Sequence, residues 1–166
     1  MAVPIVTFIG KSGAGKTTLL EKVIAEIKRR GYRLAAIKHH SHSDFAIDTP
    51  GKDSWRFAQA GSDQVVISTP GKVAFYRQLE RELTLDEIAA LISDVDLIVV
   101  EGYRQAGKPT IQVVREKNSR ELVGSRDHWI AMAADFPLAV DVPVFDLDDV
   151  DGIVNLIERT FLKKGA

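Results

Sequence analysis

Hydrophobic and polar residues change their spacing along the chain in a way that predicts strands and helices in alternation. The first run, VPIVTFIG at residues 3–10, is apolar almost throughout and ends at a glycine, which is typical of a strand buried in a parallel sheet. Residues 16–32 then place leucine, valine and isoleucine on one face of a helix, with Gly31 as its stop. Residues 33–40 predict a second short strand. The chain therefore begins with a strand, a helix and a second strand.

The later runs continue this alternation and add one hairpin. Two strand-like runs, 64–69 and 73–78, flank the turn sequence PGK, which predicts an antiparallel pair. A helix opens with Thr84 and Glu87 at the spacing of a capping box. The remaining predicted elements are a helix at 53–61, strands at 96–102, 110–116, 129–135 and 142–147, and an amphipathic helix at 149–164. We therefore predict one α/β domain over residues 1–166, with three layers, a mainly parallel sheet and an antiparallel hairpin.

The composition fits such a domain and narrows its partners. Of the 166 residues, 45% are hydrophobic, which is enough for one core. The formal net charge of -1 gives no global basic field to attract nucleic acid or an anionic membrane. The absence of cysteine excludes disulfides, thiolate nucleophiles and sulfur-ligated zinc, and the first residues lack the pattern of a signal peptide or membrane span. We expect a cytoplasmic protein that binds neither nucleic acid nor membrane.

A phosphate-binding motif stands between the first strand and the first helix. Residues 10–17, GKSGAGKT, match GxxxxGK[ST] in the strand, loop and helix context that this motif requires. Its glycines let backbone N–H groups converge on phosphate oxygens, and the helix directs its positive end at the same anion. Lys16 would reach the β- and γ-phosphates, and the Thr17 hydroxyl would bind Mg²⁺. The predicted nucleotide-binding positions in the motif and directly after it are Gly10, Ser12, Gly13, Ala14, Gly15, Lys16, Thr17 and Thr18.

A phosphate loop of this kind needs an acidic residue on a neighbouring strand to hold Mg²⁺. The apolar run LIVV at 97–100 delivers Glu101 to the carboxyl edge of the sheet, where ligands bind in open α/β folds. Asp96 opens the same strand about 16 Å away at the strand rise, and we interpret it as an ordinary strand-start residue. We therefore predict Lys16 and Glu101 as catalytic residues, and Thr17 and Glu101 as metal ligands.

Two further patterns bear on the choice of nucleotide. DTPG at 48–51 matches a string of regulatory GTPases, but it follows a polar loop rather than a long apolar strand, so we interpret the match as accidental. The sequence contains no NKxD string to indicate guanine recognition. Asp135 follows a predicted strand near the expected base-binding edge, where its carboxylate could accept hydrogen bonds from guanine N1 and N2. An ordinary acidic residue in a surface turn is the alternative.

Three of the four histidines, His39, His40 and His42, lie in one short loop with Asp44 and Asp48. His40 and His42 share a face of an extended segment and could bind zinc together, but a zinc site usually draws a further ligand from a distant segment. Alternatively the loop lies beside the phosphates, where imidazoles donate to phosphate oxygens and the carboxylates contact metal-bound water. A polar loop without a ligand is the third interpretation. We prefer the second.

Several of these segments together resemble the MobB family of accessory proteins in molybdopterin guanine dinucleotide biosynthesis. The resemblance runs from residue 3 to about residue 161, on the segments FIGKSGAGKTTLL, IKHHSHSDFAIDTPGKDSWRFAQAGS, DLIVVEGY and DFPLAVDVPVFDLDDVDGIVNLI. It implies a SIMIBI-like P-loop NTPase fold and a homodimer that binds GTP and hydrolyses it weakly. It also implies a partner, the MobA-type guanylyltransferase that joins GMP to molybdopterin, and leaves open whether molybdopterin itself is bound.

The resemblance also implies site residues. The phosphate-loop positions of the family correspond to Gly13, Gly15, Lys16 and Thr17, and its acidic strand end corresponds to Glu101. Its loop signature corresponds to His39, His42, Asp48, Gly51, Lys52, Asp53 and Ser54. On this basis we add His39, His42 and Asp48 to the predicted nucleotide-binding positions.

Three functions remain open at this point. The first is an adaptor that binds GTP with Mg²⁺ and works through a partner, in which Arg56, Arg77 or Arg104 could act across a dimer. The second is a small-molecule kinase, although no insertion has the composition of an Arg-rich lid. The third is a non-catalytic scaffold. Val73 and Phe75 give the predicted hairpin an apolar face, from which we predict a homodimer.

Overall fold

The computed structural model describes residues 2–40 and 46–162. They form two compact units, divided between His39 and His40 and between Leu83 and Thr84. In chain order the elements are β1 (Ile5–Ile9), α1 (Lys16–Arg29), β2 (Leu34–Lys38), α2 (Asp53–Gln59), β3 (Gln64–Thr69), β4 (Lys72–Arg77), α3 (Leu85–Ala89), β5 (Leu97–Glu101), β6 (Thr110–Val114), a 3-10 helix (Arg126–His128), β7 (Trp129–Ala134), β8 (Val144–Phe145) and α4 (Val150–Phe161). The single nucleotide-binding domain over 1–166 stays a prediction.

The first unit is built on a six-stranded sheet in which all neighbouring strands run parallel. The strand order is β2-β5-β1-β6-β7-β8. β1, β5 and β6 are buried along their whole length, and the polar side chains among them find partners, as in the 2.7 Å hydrogen bond between the Thr7 and Thr110 hydroxyls. Because β1 lies between β5 and β6, the residues that follow these three strands meet at the same edge of the sheet.

Helices cover both faces of this sheet. On one face, Val6 and Phe8 pack in a cluster with buried residues of α1 and α4. On the other, Ile5 and Ile98 pack with Leu85 of α3. Successive residues of a strand point to opposite faces, so a strand covered on both sides must be apolar throughout. The predicted three-layer arrangement with a mainly parallel sheet is confirmed.

Helix ends follow local signals, although the helices are shorter than predicted. The capping box of α3 is present, since the Thr84 hydroxyl accepts from Glu87 N–H and the Glu87 carboxylate accepts from Thr84 N–H. α3 then ends at Ala89, because Leu91 and Ile92 donate to carbonyl groups three residues back and so tighten the last turn. Within the described ranges no helix is long and apolar enough to cross a membrane.

The second unit contains α2 and a two-stranded hairpin. β3 and β4 pair antiparallel along their whole length, which confirms the predicted hairpin. The Tyr76 hydroxyl on β4 donates to Asp48 Oδ2 at 2.8 Å and to the carbonyl oxygen of Ser54 at 3.1 Å. These two bonds tie the segment before α2 to the hairpin.

Candidate nucleotide-binding site

The phosphate loop, residues 10–17, turns sharply between β1 and α1. Gly10 lies so close to β6 that an added Cβ atom would stand 2.3 Å from the carbonyl oxygen of Val113. Gly15 precedes α1 with a φ of 88°, a conformation that residues with a side chain avoid. α1 begins at Lys16, so its amino end, which favours anions, lies within the motif. Of the other predicted loop residues, Ala14 is buried, whereas Ser12, Gly13, Thr17 and Thr18 are exposed.

Lys16 lies back across the loop, and its Nζ atom donates to the carbonyl oxygen of Lys11 at 2.9 Å. Burial is the main reason why the pKa of Lys16 falls below its usual value; Glu101 opposes this shift, whereas Lys38 and Arg104 add to it. The ammonium group therefore belongs to a cluster in which positive side chains outnumber the carboxylate of Glu101. Such a cluster would stabilise a phosphate group.

Glu101 is the last residue of β5 and is 6% exposed. Its Oε2 atom accepts from the Thr17 hydroxyl at 2.8 Å, and its Oε1 atom accepts from Lys38 Nζ. Burial alone would raise the pKa of Glu101, but the hydrogen bonds from Lys38 and Thr17 outweigh it and hold the pKa below its usual value. The two predicted metal ligands are thus in direct contact, and the carboxylate is ionised at neutral pH. Asp96, at the other end of β5, accepts from Arg33 N–H at 2.8 Å, as suits a strand-start residue.

The turn after β5 brings Arg104 to the phosphate loop. Gly102 and Tyr103 both have positive φ angles, 105° and 53°. Arg104 Nη2 then donates to the carbonyl oxygen of Gly10 at 2.9 Å, and Lys16 Nζ donates to the same oxygen at 3.2 Å. Arg104, a candidate from the sequence to act across a dimer, therefore lies beside the loop of its own chain.

His39 follows β2 and packs against this same turn. Its ring stacks on Tyr103, with the ring centroids 4.2 Å apart and an interplanar angle of 29°. Its backbone N–H donates to the carbonyl oxygen of Glu101 at 2.9 Å. An added Cβ atom at Gly102 would lie 2.9 Å from the His39 Cβ atom. His39 thus supports the turn that carries Glu101 and Arg104, and its contact with a nucleotide stays a prediction.

The turn after β6 also lies on the phosphate loop, and the sequence analysis did not identify it. Asn118 Nδ2 donates to the carbonyl oxygen of Ser12 at 2.9 Å. The guanidinium group of Arg115 lies over Gly15, with Nη2 3.2 Å from the position of an added Cβ atom. The available signal was the polar run REKNSRE, which directly follows a buried strand. This run, residues 115–121, is called the β6 turn below.

Asp135 follows β7 and is held beside the β6 turn. Its Oδ1 atom accepts from the backbone N–H of Glu116 at 2.7 Å. The next side chain, Phe136, lies under the guanidinium of Arg120, whose Cζ atom is 5.1 Å from the ring centroid. The β6 turn therefore contacts both the phosphate loop, through Asn118, and Asp135. A carboxylate there can accept from guanine N1 and N2, and this use of Asp135 stays a prediction.

Comparison with known proteins identifies the family. The sequence model of the family described as "MobB: Molybdopterin guanine dinucleotide synthesis protein B" matches residues 5–135. A relative from Haemophilus influenzae named molybdopterin-guanine dinucleotide biosynthesis adapter protein is 35% identical over 159 residues, covering 95% of this chain and 89% of the relative. A protein of the same name from Escherichia coli is 38% identical, with coverages of 99% of this chain and 97% of the relative. The chain belongs to the MobB family.

Solved MobB structures share the fold of this chain. The crystal structure of a molybdopterin-guanine biosynthesis protein B has a TM-score of 0.76 at 32% identity, covering 93% of this chain and 98% of that one. That of Bacillus subtilis MobB has a TM-score of 0.78 at 26% identity, with coverages of 98% and 99%. The predicted P-loop NTPase-like fold is thereby confirmed. The range matched by the MobB family includes the phosphate loop, Glu101, the β6 turn and Asp135.

Asp48, another predicted nucleotide-binding residue of this MobB protein, belongs to the second unit. It accepts from the Tyr76 hydroxyl at 2.8 Å, and hydrogen bonds from Ser54 and Tyr76 hold its pKa below the usual value. These contacts order the segment before α2. A contact between Asp48 and a nucleotide stays a prediction.

The zinc hypothesis rests partly on residues that the structure does not describe. His40 is exposed, whereas His42 and Asp44 lie outside the described residues. Across 2–40 and 46–162, no group of three or more His, Asp or Glu side chains could hold a metal ion. Zinc binding by His40 with His42 therefore stays an open alternative.

The phosphate-loop residues fit a magnesium nucleotide. Mg²⁺ prefers oxygen ligands, and Thr17 and Glu101 bring a hydroxyl and a carboxylate within 2.8 Å of each other. The cationic side chains of Lys16 and Arg104 both donate to the carbonyl oxygen of Gly10. Phosphate oxygens would be better acceptors for these two cations, because a phosphate is charged and the carbonyl is neutral. The donor set therefore suits both the metal and the phosphates.

Proposed function

We propose that this MobB protein binds GTP with Mg²⁺, hydrolyses it slowly and serves as an adapter for a MobA-type guanylyltransferase in molybdopterin guanine dinucleotide biosynthesis. The observation that carries the nucleotide part is the contact of Thr17 with Glu101 at a glycine loop that also holds Lys16. The adapter part is supported by the name of the relatives from Haemophilus influenzae and Escherichia coli.

Different side chains at the site would bind the phosphates, the Mg²⁺ ion and the base of the nucleotide. Lys16 and Arg104 would neutralise phosphate charge, together with the N–H groups at the start of α1. Thr17 and Glu101 would hold Mg²⁺, which when bound neutralises charge on the phosphate oxygens. Asp135 would accept from the Watson–Crick edge of guanine.

Slow hydrolysis is consistent with how the two cations are engaged. Electrostatic catalysis is most effective when charged groups are already aimed at the reacting atoms, so that no reorganisation is needed. Lys16 and Arg104 instead both donate to the Gly10 carbonyl, and each must change partner before it can stabilise a transferred phosphoryl group. This reorganisation would slow turnover and suits a protein that acts mainly through nucleotide binding.

The hairpin supports a homodimer as the working form. Val66 and Phe75 lie directly opposite each other, and Val73 lies on the same hairpin face two residues from Phe75. Their side chains are 61%, 56% and 67% exposed. A contiguous apolar face of this kind is typical of a protein interface, and a second copy of the chain offers the same face in return.

The nucleotide part is tested by calorimetric titration of the purified protein with GTP, GDP and ATP, with and without Mg²⁺. GTP and GDP should bind, and ATP should bind at least about tenfold more weakly, because Asp135 would face an adenine edge that lacks the N1–H donor. Lys16→Ala should lose most of the GTP affinity, whereas Lys28→Ala, an exposed lysine on the same helix, should not. Absence of binding by any nucleotide would contradict the proposal, and equal affinity for ATP and GTP would remove its guanine assignment.

The adapter part is tested by co-purification with the guanylyltransferase. If nucleotide binding controls the partner, Lys16→Ala should change the amount of guanylyltransferase that is retained, and Lys28→Ala should leave it at the wild-type level. Equal retention by all three proteins, with GTP binding lost only in Lys16→Ala, would indicate a scaffold whose partner binding is independent of nucleotide.

A further inference from the structure

Both oxygens of the Glu101 carboxylate can bind a cation, and the chain itself provides one for Oε1. Lys38, the last residue of β2, is the register partner of Glu101 on β5. Its Nζ atom donates to Glu101 Oε1, while the Thr17 hydroxyl donates to Oε2. The Glu101 side chain is 8% exposed and that of Lys38 is 59% exposed. One partner of this ion pair is therefore fixed in the protein, and the other can reach solvent.

Fixing Glu101 in place has an electrostatic consequence. An ionised carboxylate that is largely removed from water is costly unless a cation or several hydrogen-bond donors compensate it. Lys38 supplies that compensation. A divalent cation held by Thr17 and Glu101 would supply it more strongly, but it would be repelled by an ammonium group on the same carboxylate. Lys38 and the metal therefore compete for Glu101.

The ion pair is not needed to hold the two strands together. β2 and β5 already pair in parallel from Leu34 to Lys38, and the backbone N–H of His39 continues the contact by donating to the carbonyl oxygen of Glu101. The position of the pair is also specific: Glu101 is the residue that contacts Thr17 of the phosphate loop. A structural bridge between strands would not require a lysine at the carboxylate that contacts Thr17 of the loop.

We propose that Lys38 is a resident counter-ion of Glu101 which Mg²⁺ displaces, and that Lys38 thereby sets the metal dependence of nucleotide binding. This inference rests on the proposed function, binding of a magnesium guanine nucleotide. Without Mg²⁺, Lys38 masks the charge of Glu101, so that the nucleotide phosphates can approach the loop. With Mg²⁺, the metal takes over this role, and the exposed side chain of Lys38 moves off the carboxylate. Wild-type protein should therefore bind nucleotide with only a modest dependence on Mg²⁺.

The test measures the dissociation constant of a fluorescent GDP in EDTA and in excess Mg²⁺. The quantity compared is the constant in EDTA divided by the constant in Mg²⁺. In Lys38→Met, Glu101 loses its counter-ion, so binding in EDTA should weaken while binding in Mg²⁺ is retained. The ratio should rise about tenfold or more, as expected when a largely buried carboxylate loses its counter-ion. Lys28→Met, which removes an exposed lysine from α1, should leave the ratio at the wild-type value.

A second variant and a second readout keep the inference testable if Lys38→Met is poorly folded. Lys38→Gln shortens the side chain by one atom, removes its charge and keeps a hydrogen-bond donor, and should show the same rise in the ratio. With GDP bound, electron paramagnetic resonance of Mn²⁺ should report tighter metal binding in Lys38→Gln than in wild type.

An unchanged ratio, or equal weakening in both buffers, would overturn the inference, because Lys38 would then be respectively irrelevant to the metal or a simple phosphate contact. A wild-type protein that binds no guanine nucleotide in either buffer would overturn the proposed function itself. The two failures are distinguishable, since only the second is visible before any substitution is made.

Discussion

The side-chain amide of Asn118 donates to the carbonyl oxygen of Ser12 at 2.9 Å and so connects the β6 turn to the phosphate loop. The bond spans 106 positions of the chain. The bond matters for nucleotide binding because the backbone N–H groups of the loop would surround the phosphates. While Asn118 holds the Ser12 carbonyl, that carbonyl cannot rotate toward the phosphates and repel them. We therefore infer that Asn118 positions the loop.

Asn118→Ala should weaken GDP binding by about 1 kcal/mol, or roughly fivefold in Kd, because the loop loses one hydrogen bond and gains conformational freedom. The measurement is a fluorescence titration with GDP in Mg²⁺. Asn155→Ala is a suitable control, since the Asn155 side chain accepts from Arg30 rather than contacting the loop. A Kd for Asn118→Ala equal to that of wild type would show that the bond to Ser12 does not order the loop.

The elements around the phosphate loop were predictable because their signals are local. An apolar run, a glycine motif and a helical period occupy one continuous stretch. The period predicts a buried face of Leu19, Leu20, Val23, Ile24 and Ile27, and the structure buries all of these except Ile24, which is half-buried. Glu101 could be selected because an apolar strand delivers its last residue to the ligand edge of a parallel sheet. The binding roles assigned to these residues stay predictions.

The contacts that the β6 turn and β2 make with the phosphate loop and Glu101 were not predictable, because strand order is a property of the whole fold. Alternation of strands and helices does not say that β6 lies beside β1, so nothing local indicates that Asn118 reaches Ser12. Likewise, nothing local indicates that Lys38 lies opposite Glu101, because the register between β2 and β5 is also a property of the whole fold. The 3-10 helix at Arg126–His128 has no periodic pattern and was also missed.

Asp135→Asn should convert a guanine site into a xanthine site. A carboxylate accepts hydrogen bonds from both N1–H and N2–H of guanine, whereas an asparagine amide would place its own N–H group against the guanine amino group. With xanthine, the asparagine oxygen would accept from N1–H and the asparagine N–H would donate to O2. GTP affinity should fall at least about tenfold and affinity for xanthosine triphosphate should rise, as seen by competition against a fluorescent nucleotide. Asp127→Asn, outside the β6 turn, should change neither. Unchanged GTP affinity in Asp135→Asn would remove Asp135 from the base site.

Acid should remove the stabilising effect of Glu26, which accepts hydrogen bonds from Arg29 Nε and Arg30 Nε, each at 2.7 Å. These bonds hold the pKa of Glu26 at about 2, below its ordinary value of 4.5. A carboxyl pKa that is lower in the folded chain contributes stability above pH 4.5, and this contribution is lost as the pH falls toward 2. The melting temperature of wild type should exceed that of Glu26→Gln by about 1–2 °C at pH 7, and the difference should shrink in acid.

The control for this pH effect is Glu21→Gln on the same helix, because Glu21 is exposed. Differential scanning calorimetry from pH 7 to pH 3 should give a difference between wild type and Glu21→Gln that does not depend on pH. The same flat behaviour in Glu26→Gln would show that the arginine contacts do not lower the pKa of Glu26 in solution.

The hairpin offers a test of the homodimer that is separate from nucleotide binding. Val66, Val73 and Phe75 form the exposed apolar face, whereas Lys72, the first residue of β4, lies on the opposite face. Phe75→Glu should give the mass of a monomer in light scattering at micromolar protein, because a charge in the centre of an apolar interface cannot be solvated there. Its melting temperature should fall only as far as dimer dissociation requires, since Phe75 is 56% exposed in the single chain. Lys72→Gln changes the net charge by the same single unit and should remain dimeric. A monomeric wild-type protein would refute the homodimer, and a dimeric Phe75→Glu would place its interface elsewhere.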